Sequence, residues 1–268
     1  RDLHLSLRRQ RQMCIRDRFS TTLSQQMGRI WAIAKKDIRI YYSKGPVVIF
    51  GILFPVFLFL AFFIGRDLPL DFMLPGLLGM VVFFTATAIS PAVAPWEAQA
   101  RTLERLMSCP VTFSAIILGD IVGSFAFGAT ISLILVVISL AIGVIALGQL
   151  PVLIMAVLLA AFCFSSLGLI FSAAPTSLPS TTMMVSSMVK FPLVFISGIF
   201  IPLSDLPVWG QAIAYVSPLT YFTDIARHCI QNAGHLALGV DFLAMVAFTA
   251  LFLLLAMKLH QKTMPKRI

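Results

Sequence analysis

The stretch that decides the fold is PVVIFGILFPVFLFLAFFI, residues 46–64, which contains no charged residue. A helix needs about 20 consecutive apolar residues to cross a bilayer, because each residue adds only about 1.5 Å to its length. The whole chain of 268 residues is 59% hydrophobic and 12% charged. That charged fraction is about half of the value for a soluble domain. The sequence therefore predicts an all-α protein that crosses a membrane several times.

Six apolar segments along the chain are long enough to span a bilayer. They lie at about 46–64, 72–95, 115–146, 150–173, 181–201 and 240–258. The third run is too long for one crossing, so we assign its first residues to the membrane interface. No internal repeat or low-complexity linker interrupts the series, so we expect residues 19–268 to form one transmembrane domain.

Residues 1–18, RDLHLSLRRQRQMCIRDR, fit neither a targeting segment nor a clean amphipathic helix. They look like translated adapter sequence, and we expect them to be non-native. The first long apolar run is not followed by a small-residue cleavage site. We therefore interpret it as a retained span and not as a signal peptide.

The net charge is +9, and the placement of the cations predicts the orientation of the chain. Lys and Arg concentrate before the first span, between the second and third spans, and after the sixth. These residues are Arg18, Arg29, Lys35, Lys36, Arg39, Lys44, Arg101, Arg105, Lys258, Lys262, Lys266 and Arg267. The other side carries only Arg66 and Arg227. Because cytoplasmic loops hold the excess of Lys and Arg, both termini are predicted to be cytoplasmic, which requires an even number of spans.

Residues 24–44 are predicted to form an amphipathic helix that lies in the membrane interface. One face is apolar and comprises Met27, Trp31, Ala34, Ile38 and Tyr41. Arg29, Lys36 and Ser43 lie largely opposite that face, and Gly45-Pro46 then turns the chain into the bilayer. We name this segment the interface helix, with Trp31, Lys35, Lys36 and Arg39 as its candidate functional residues.

Pro95 and Pro110 bracket a predicted short helix between the second and third spans. Glu97 and Arg101 are four residues apart, so they are expected to pair on the helix surface. The charged and apolar candidates of this segment are Glu97, Arg101, Thr102, Leu103, Glu104, Arg105 and Leu106. The residues alone are compatible with a solvated loop or with a docking element for a cytoplasmic partner.

Lys190 lies midway along the fifth predicted span, where a charge costs several kcal/mol and usually faces a bundle interior or a cavity. Asp120, near the inner end of the third span, is its candidate partner. Two functions are open for Lys190, an ion pair or a position on a substrate path. The alternatives are that its side chain extends to the interface, or that the fifth span lies several residues away from the predicted position.

Between the fifth and sixth spans lies SGIFIPLSDLPVWGQAIAYVSPLTYFTDIARH, residues 197–228. We expect Pro202 and Pro207 to end the fifth span. Two short amphipathic helices should follow, with apolar faces formed by Leu206, Trp209 and Ile213 and by Leu219, Phe222 and Ile225. Trp and Tyr favour the headgroup zone, so the segment is predicted to be an outer re-entrant hairpin. Its marker residues are Pro202, Pro207, Trp209, Pro218 and Tyr221.

The sequence lacks the motifs of a nucleotide or metal site. GSFAFGAT, residues 123–130, has the glycine spacing of a phosphate loop, but Ala129 replaces the required Lys. Gly119, Gly123 and Gly128 are better explained by close helix packing. The four cysteines are widely spaced and no histidine pair has metal-ligand spacing, so we expect no metal site and no disulfide framework.

Three stretches resemble the ABC-2 family of ABC-transporter permeases. The first is the interface helix running into the first span. The second, EAQARTLERLMSCPVTFSAIILGDIV at 97–122, is similar to the family pattern of an acidic residue, Arg-Thr/Gly-Leu-Glu-x-Leu, Ser-x-Pro and a Gly-containing start of the third span. The third, FPLVFISGIFIPLSDLPVWGQAIAYVSPLTYFTDIAR at 191–227, resembles the family's Ser-Gly-x-Phe-x-Pro, Leu-Pro and Pro-Leu-Thr-Tyr elements. The resemblance covers about residues 24–260, and the third match is the most specific.

The resemblance implies a six-span permease subunit of an ABC exporter for a drug, lipid or glycan-like amphiphile, in the prokaryotic plasma (inner) membrane. It implies a homo- or heterodimer with separate ATPase subunits that bind ATP and Mg²⁺, and no cofactor, nucleic acid or catalytic residue on this chain. Residues 97–107 would be the ATPase-coupling helix, and 202–230 the outer re-entrant cap. It assigns no role to Lys190.

The alternative to a permease subunit is a self-contained membrane protein, either an intramembrane enzyme or an assembly scaffold. An enzyme should carry His, Asp or Ser clustered at one depth in neighbouring spans, whereas the candidate intramembrane charges are Lys190 and Asp120.

Overall fold

The computed structural model describes residues 23–42, 45–65, 69–102, 106, 109, 111–174, 176, 178–201, 203 and 206–263. These residues form helices and connecting turns and contain no β-strand. The α-helices are α1 (Leu23–Tyr41), α2 (Gly45–Val48), α3 (Phe54–Phe63), α4 (Leu70–Ala86), α5 (Val93–Gln99), α6 (Phe113–Ala141), α7 (Leu150–Ser172), α8 (Pro179–Ile196), α9 (Val208–Ala214), α10 (Pro218–Gln231) and α11 (Leu238–Thr263). The predicted leader, residues 1–18, lies outside the described residues.

Three of the described helical segments are long and apolar enough to cross a bilayer: Phe113–Ala141, Leu147–Ser172 and Leu238–Thr263. Two shorter apolar helices, Ile49–Phe62 and Leu70–Ala86, accompany them. The prediction of an all-α membrane protein is therefore confirmed, while the count of six spans stays a prediction.

The largest core joins α4, α7 and α10. Phe83 of α4 and Phe164 of α7 meet edge to face with ring centroids 5.0 Å apart, and Phe222 of α10 is fully buried in the same cluster. Such dense side-chain packing is what holds helices together in a membrane, where lipid removes the hydrophobic drive between them.

Glycines allow α6 to approach its neighbours closely. A methyl group at Gly119 would lie 2.6 Å from Cγ2 of Ile33 in α1, and one at Gly128 would lie 2.9 Å from Cα of Ala86 in α4. Gly123 faces α1 at Asp37. The glycines of the apparent phosphate loop therefore serve helix packing, as predicted.

The first predicted span contains a π-helical segment, Ile49–Leu53, between α2 and α3. Pro55 has no N–H, so it cannot bond the Gly51 carbonyl four residues earlier, and this missing bond favours the wider π turn. A methyl group at Gly51 would lie only 3.1 Å from Cβ of Ala88. The π-helical segment therefore packs directly against the chain just after α4.

The second predicted span was placed at 72–95, which is wrong at its C-terminal end. Helix α4 ends at Ala86, turns occupy residues 87–92, and α5 begins at Val93. Pro91 explains the break, because it has no N–H to bond the Thr87 carbonyl and disfavours helical backbone at Ser90.

The fifth predicted span was placed at 181–201, but α8 ends at Ile196. The chain turns at Gly198, whose φ of +77° suits glycine, so the span ends before the predicted prolines. Pro202 lies outside the described residues.

The two short helices predicted in the outer segment are present as α9 and α10. Pro207 is the N-cap of α9, and Pro218 is the first residue of α10. Leu219, Phe222 and Ile225 form a fully buried face, as their spacing predicts. On α9, by contrast, Trp209 is 70% exposed.

Candidate functional site

The helices α1, α5 and α6 bring one amine and three carboxyl groups together in the interior, which we name the charge cluster: Lys36, Asp37, Glu97 and Asp120. Lys36 Nζ lies 3.0 Å from Asp37 Oδ1 and donates a hydrogen bond to Glu97 Oε1. All three carboxyl residues are buried, whereas Lys36 keeps about a third of its side chain exposed, at 30%. The cluster ties the interface helix to the segment between the second and third predicted spans.

The charge cluster contains three carboxyl groups and one amine, and burial disfavours the ionised form of the carboxyl groups. Burial raises the pKa of Asp37 and of Glu97, and the Lys36 amine opposes the rise. Burial alone would lower the pKa of Lys36, but the carboxylates, led by Glu97, raise it above its ordinary value. Asp120 of α6 adds a third buried carboxyl group to the cluster.

The structure corrects the expected pair of Glu97 and Arg101. Glu97 lies in the last turn of α5, which ends at Gln99, and bonds Lys36 from the interface helix. Arg101 is exposed and has a positive φ of 52°, so a single helix over 97–107 is wrong. Thr102 is also exposed, and Leu106 is half-buried. Leu103, Glu104 and Arg105 lie outside the described residues.

A cleft of about 560 Å³ opens beside the charge cluster, between α1 and the segment that contains α5. One wall is the stacked pair of Tyr41 and Trp96, with ring centroids 5.4 Å apart. The complete lining is Lys36, Ile40, Tyr41, Trp96, Glu97, Gln99, Ala100, Thr102, Leu106 and Cys109. The candidate residues Lys36, Glu97, Thr102 and Leu106 thus meet around one concave surface.

The interface helix is present as α1, but the face that packs on α6 differs from the predicted apolar face. Ala34 and Tyr41 are buried with Ile33 and Asp37, whereas Trp31 is 60% exposed. Met27 and Ile38 are exposed as well, and so are the cations Lys35 and Arg39. The apolar residues therefore divide between the protein core and the surface. Asp37 was missed as a site residue; its position one turn from Ile33 and Ala34 is the signal that could have identified it.

Lys190 does not pair with Asp120, which belongs to the charge cluster. The Lys190 amine donates a hydrogen bond of 2.7 Å to the carbonyl of Thr87. This carbonyl is the one that Pro91 leaves without a helical partner, at the negative end of the α4 helix dipole. Lys190 therefore joins α8 to the break after α4.

A second cavity, of about 270 Å³, lies beside Lys190 between the first predicted span, α4 and α8. Its walls are mainly aromatic rings and Met side chains. The lining residues are Phe50, Phe54, Phe84, Ala88, Met183, Met184, Ser187, Lys190 and Phe191. We name this space the Lys190 cavity.

Polar side chains of α10 hold this helix against the neighbouring parts of the chain. The Asp224 carboxylate accepts backbone N–H bonds from His235 and Leu236 at 2.9 and 2.8 Å. Arg227 donates to the Gly198 carbonyl at 2.5 Å. The Tyr221 hydroxyl donates to the Tyr215 carbonyl at 2.9 Å, across the corner between α9 and α10. Asp224 and Arg227 were missed as structural residues, because a charged helix in a loop is ordinarily solvated.

The chain is a polytopic helical membrane protein. This class is defined by its long apolar helices, the buried α10 and the interface helix tied to α5. The chain belongs to the ABC-2 type transporter family, whose model matches residues 28–230. The match runs from α1 through α10 and so includes both cavities and the charge cluster. The resemblance expected from the sequence is confirmed.

Named relatives from Escherichia coli strain K12 support this assignment. The inner membrane transport permease YadH is 25% identical over 193 residues, 72% of this chain and 75% of the relative. The inner membrane transport permease YhhJ is 27% identical over 174 residues, 62% of this chain and 45% of the relative. The probable multidrug ABC transporter permease YbhR is 30% identical over 167 residues, 58% of this chain and 42% of the relative. With its apolar helices, the chain is a multi-pass protein of the inner membrane.

Proposed function

We propose that this chain is the transmembrane permease subunit of an ABC exporter. The observation that carries the proposal is the charge cluster, because its Lys36–Glu97 ion pair ties the predicted coupling segment to the interface helix, which packs on the membrane-length helix α6. Family membership supports the same assignment. A drug, lipid or glycan-like amphiphile is the proposed substrate.

In this proposal the chain crosses the membrane six times, with both termini in the cytoplasm and α9 and α10 as a re-entrant hairpin on the outer side. Cysteines introduced at two exposed positions, Gln99→Cys and Val208→Cys, test the orientation in a chain whose own cysteines are replaced by Ser, because Cys109 is exposed as well. We expect a membrane-impermeant maleimide to label Val208→Cys in intact spheroplasts and Gln99→Cys only in inverted vesicles. Labelling of both positions from one side would contradict the topology.

The ATPase is proposed to be a separate subunit that binds ATP and Mg²⁺, while this chain binds no cofactor and contributes no catalytic residue. Two permease chains, identical or different, would form the membrane portion. The exposed residues Arg101 and Thr102, of which Thr102 lines the 560 Å³ cleft, are the proposed contact with the ATPase.

Ion pairs couple the predicted coupling segment, residues 97–107, to the interface helix. When ATP draws the ATPase subunits together, residues 97–107 move with them. Glu97 then moves Lys36 and the interface helix through their ion pair. The interface helix passes the movement on to α6, against which it packs at Gly119 and Gly123. The bundles rock, and the substrate leaves on the outer side.

Arg101→Asp tests the docking surface, because Asp tolerates the positive φ that this position adopts. We expect the variant to co-purify roughly tenfold less ATPase, since a charge reversal at an interface costs more than 1 kcal/mol, about tenfold per 1.4 kcal/mol. Lys258→Glu is the matched control, as Lys258 is an exposed cation on the same predicted side of the membrane. Equal loss in both variants would refute the assignment of this segment.

A further inference from the structure

Lys190 carries a buried amine whose hydrogen-bonding capacity the fold uses only in part. Its residue is 7% exposed, and its amine donates to the Thr87 carbonyl at 2.7 Å. A charged lysine has three N–H donors, and Thr87 supplies the one acceptor that it contacts within the described part of the chain. Two donors are therefore available to a ligand in the Lys190 cavity.

The rest of the Lys190 cavity is suited to an apolar group. Phe54, Phe84 and Phe191 pack against one another, with ring centroids 5.4 to 6.3 Å apart. The Ser187 hydroxyl, the other polar group of the lining, donates to the Met183 carbonyl at 2.9 Å. The volume of about 270 Å³ lies below the range of about 300–1,000 Å³ for drug-sized ligands. It therefore fits part of one alkyl chain with a small head better than a bulky ring system.

We propose that the Lys190 cavity binds a single-chain amphiphile with an anionic head, a phosphate or a carboxylate, and that Lys190 determines this charge specificity. An anion beside Lys190 supplies the charge compensation and the acceptors that burial withholds. A cationic head would be repelled, and a neutral tail without acceptors would leave the two donors unpaired. That the amphiphile is a transported substrate rests on the proposed function, but its binding does not.

The position of Lys190 also connects this cavity to the charge cluster. The Thr87 carbonyl that Lys190 bonds lies directly after α4, and the turns at 87–92 lead into α5, which carries Glu97. An anionic head competes with this carbonyl for the Lys190 amine. Occupancy of the cavity therefore acts on the same backbone segment that the ATPase would move.

The experiment uses the purified chain, without any ATPase, in phosphatidylcholine nanodiscs. Two 12-carbon probes carry a photoreactive diazirine in the tail and either a phosphate or a trimethylammonium head. The readout is cross-linking of the peptide that contains Met183 and Met184, relative to the α11 peptide that contains the exposed residues Leu243 and Leu251. This ratio separates binding in the cavity from general contact with lipid.

We expect the phosphate probe to label the cavity peptide roughly tenfold more than the ammonium probe, the size of one charge-assisted hydrogen bond. Lys190→Met should abolish this preference and Lys190→Arg should retain it. Met184→Trp, which fills the cavity without altering the charge, should reduce labelling by both probes. Because the first comparison uses the wild-type chain, it remains decisive even if Lys190→Met does not fold.

Equal labelling of the wild type by both probes would overturn the proposal, and so would an unchanged preference in Lys190→Met. Displacement of the phosphate probe by inorganic phosphate at equal concentration would overturn it in favour of a simple anion site. Displacement by phosphatidylglycerol at equal mole fraction would overturn it in favour of a bilayer lipid. None of these results touches ATPase assembly, so failure of this inference is distinguishable from failure of the proposed function.

Discussion

Lys36→Met removes the one cation of the charge cluster and leaves Asp37, Glu97 and Asp120 buried without compensation. Breaking a buried ion pair by removing one partner costs about 3–5 kcal/mol. The side chain of Lys36 is 30% exposed, so solvent screens part of its interaction and the lower end, about 3 kcal/mol, applies near pH 7.5. For a chain of this size, this loss corresponds to a decrease in Tm of about 6–12 °C.

The loss should depend on pH with a defined sign. Burial raises the pKa of Asp37 and Glu97 above their unfolded values, so their contribution to stability is greatest at low pH and is lost as the pH rises through the folded pKa. Without Lys36 the pKa values of Asp37 and Glu97 rise further. Each of these carboxyl groups then becomes neutral by binding a proton at a higher pH. Each pH unit changes the cost of binding one proton by about 1.4 kcal/mol. Lowering the pH from about 7.5 to 5.5 should therefore restore most of the roughly 3 kcal/mol.

The assay is thermal unfolding of the purified chain in one detergent at both pH values. Lys35→Met is the matched control, because Lys35 is the exposed neighbour of Lys36 on the same helix. We expect the control to change the stability by less than about 0.5 kcal/mol. The reasoning is refuted if Lys36→Met behaves like Lys35→Met, or if its deficit does not shrink at the lower pH.

Three further predictions concern helix packing and the outer segment. Gly128→Ala should lower the unfolding free energy by about 1–3 kcal/mol, because its methyl group would lie 2.9 Å from the Ala86 backbone. Gly239 has open space around it, so Gly239→Ala should be neutral or stabilising. Thermal unfolding of the two variants checks both expectations. Phe222→Ala should cost about 3–5 kcal/mol of unfolding free energy in the same assay, since Phe222 is fully buried. A smaller loss for Phe222→Ala than for Trp209→Ala, at an exposed position, would contradict the packing. Asp224→Asn should cost about 1.5–3 kcal/mol by weakening the charge-assisted bonds from His235 and Leu236, and faster amide exchange at those two residues is the measurement that detects it.

Apolar run length and residue spacing were sufficient to predict the long helices and the two short helices of the outer segment. Residues 150–173 and 240–258 were predicted as spans, and the structure has helices over Leu150–Ser172 and Leu238–Thr263. Leu219, Phe222 and Ile225 were predicted as one face, and they are buried together. Both successes rest on local periodicity, which needs no knowledge of the tertiary contacts.

The tertiary pairing of charges could not be predicted in the same way. Spacing favoured Glu97 with Arg101, because i and i+4 positions are neighbours on a helix. The partner is Lys36, 61 residues earlier in the chain, because the break at Pro91 and the packing of α1 on α6 place α5 beside the interface helix. Lys190 was likewise expected near another side chain, but it bonds a backbone carbonyl that Pro91 leaves free. A hydropathy pattern contains no information about which carbonyls a proline leaves unpaired.

The measurement that tests the central claim most directly is co-purification of the tagged chain with the proposed ATPase subunit, followed by ATP turnover in lipid. The permease assignment predicts a stable complex with vanadate-sensitive turnover that Arg101→Asp reduces and Lys258→Glu does not. A folded chain that binds no ATPase under the same conditions would contradict it.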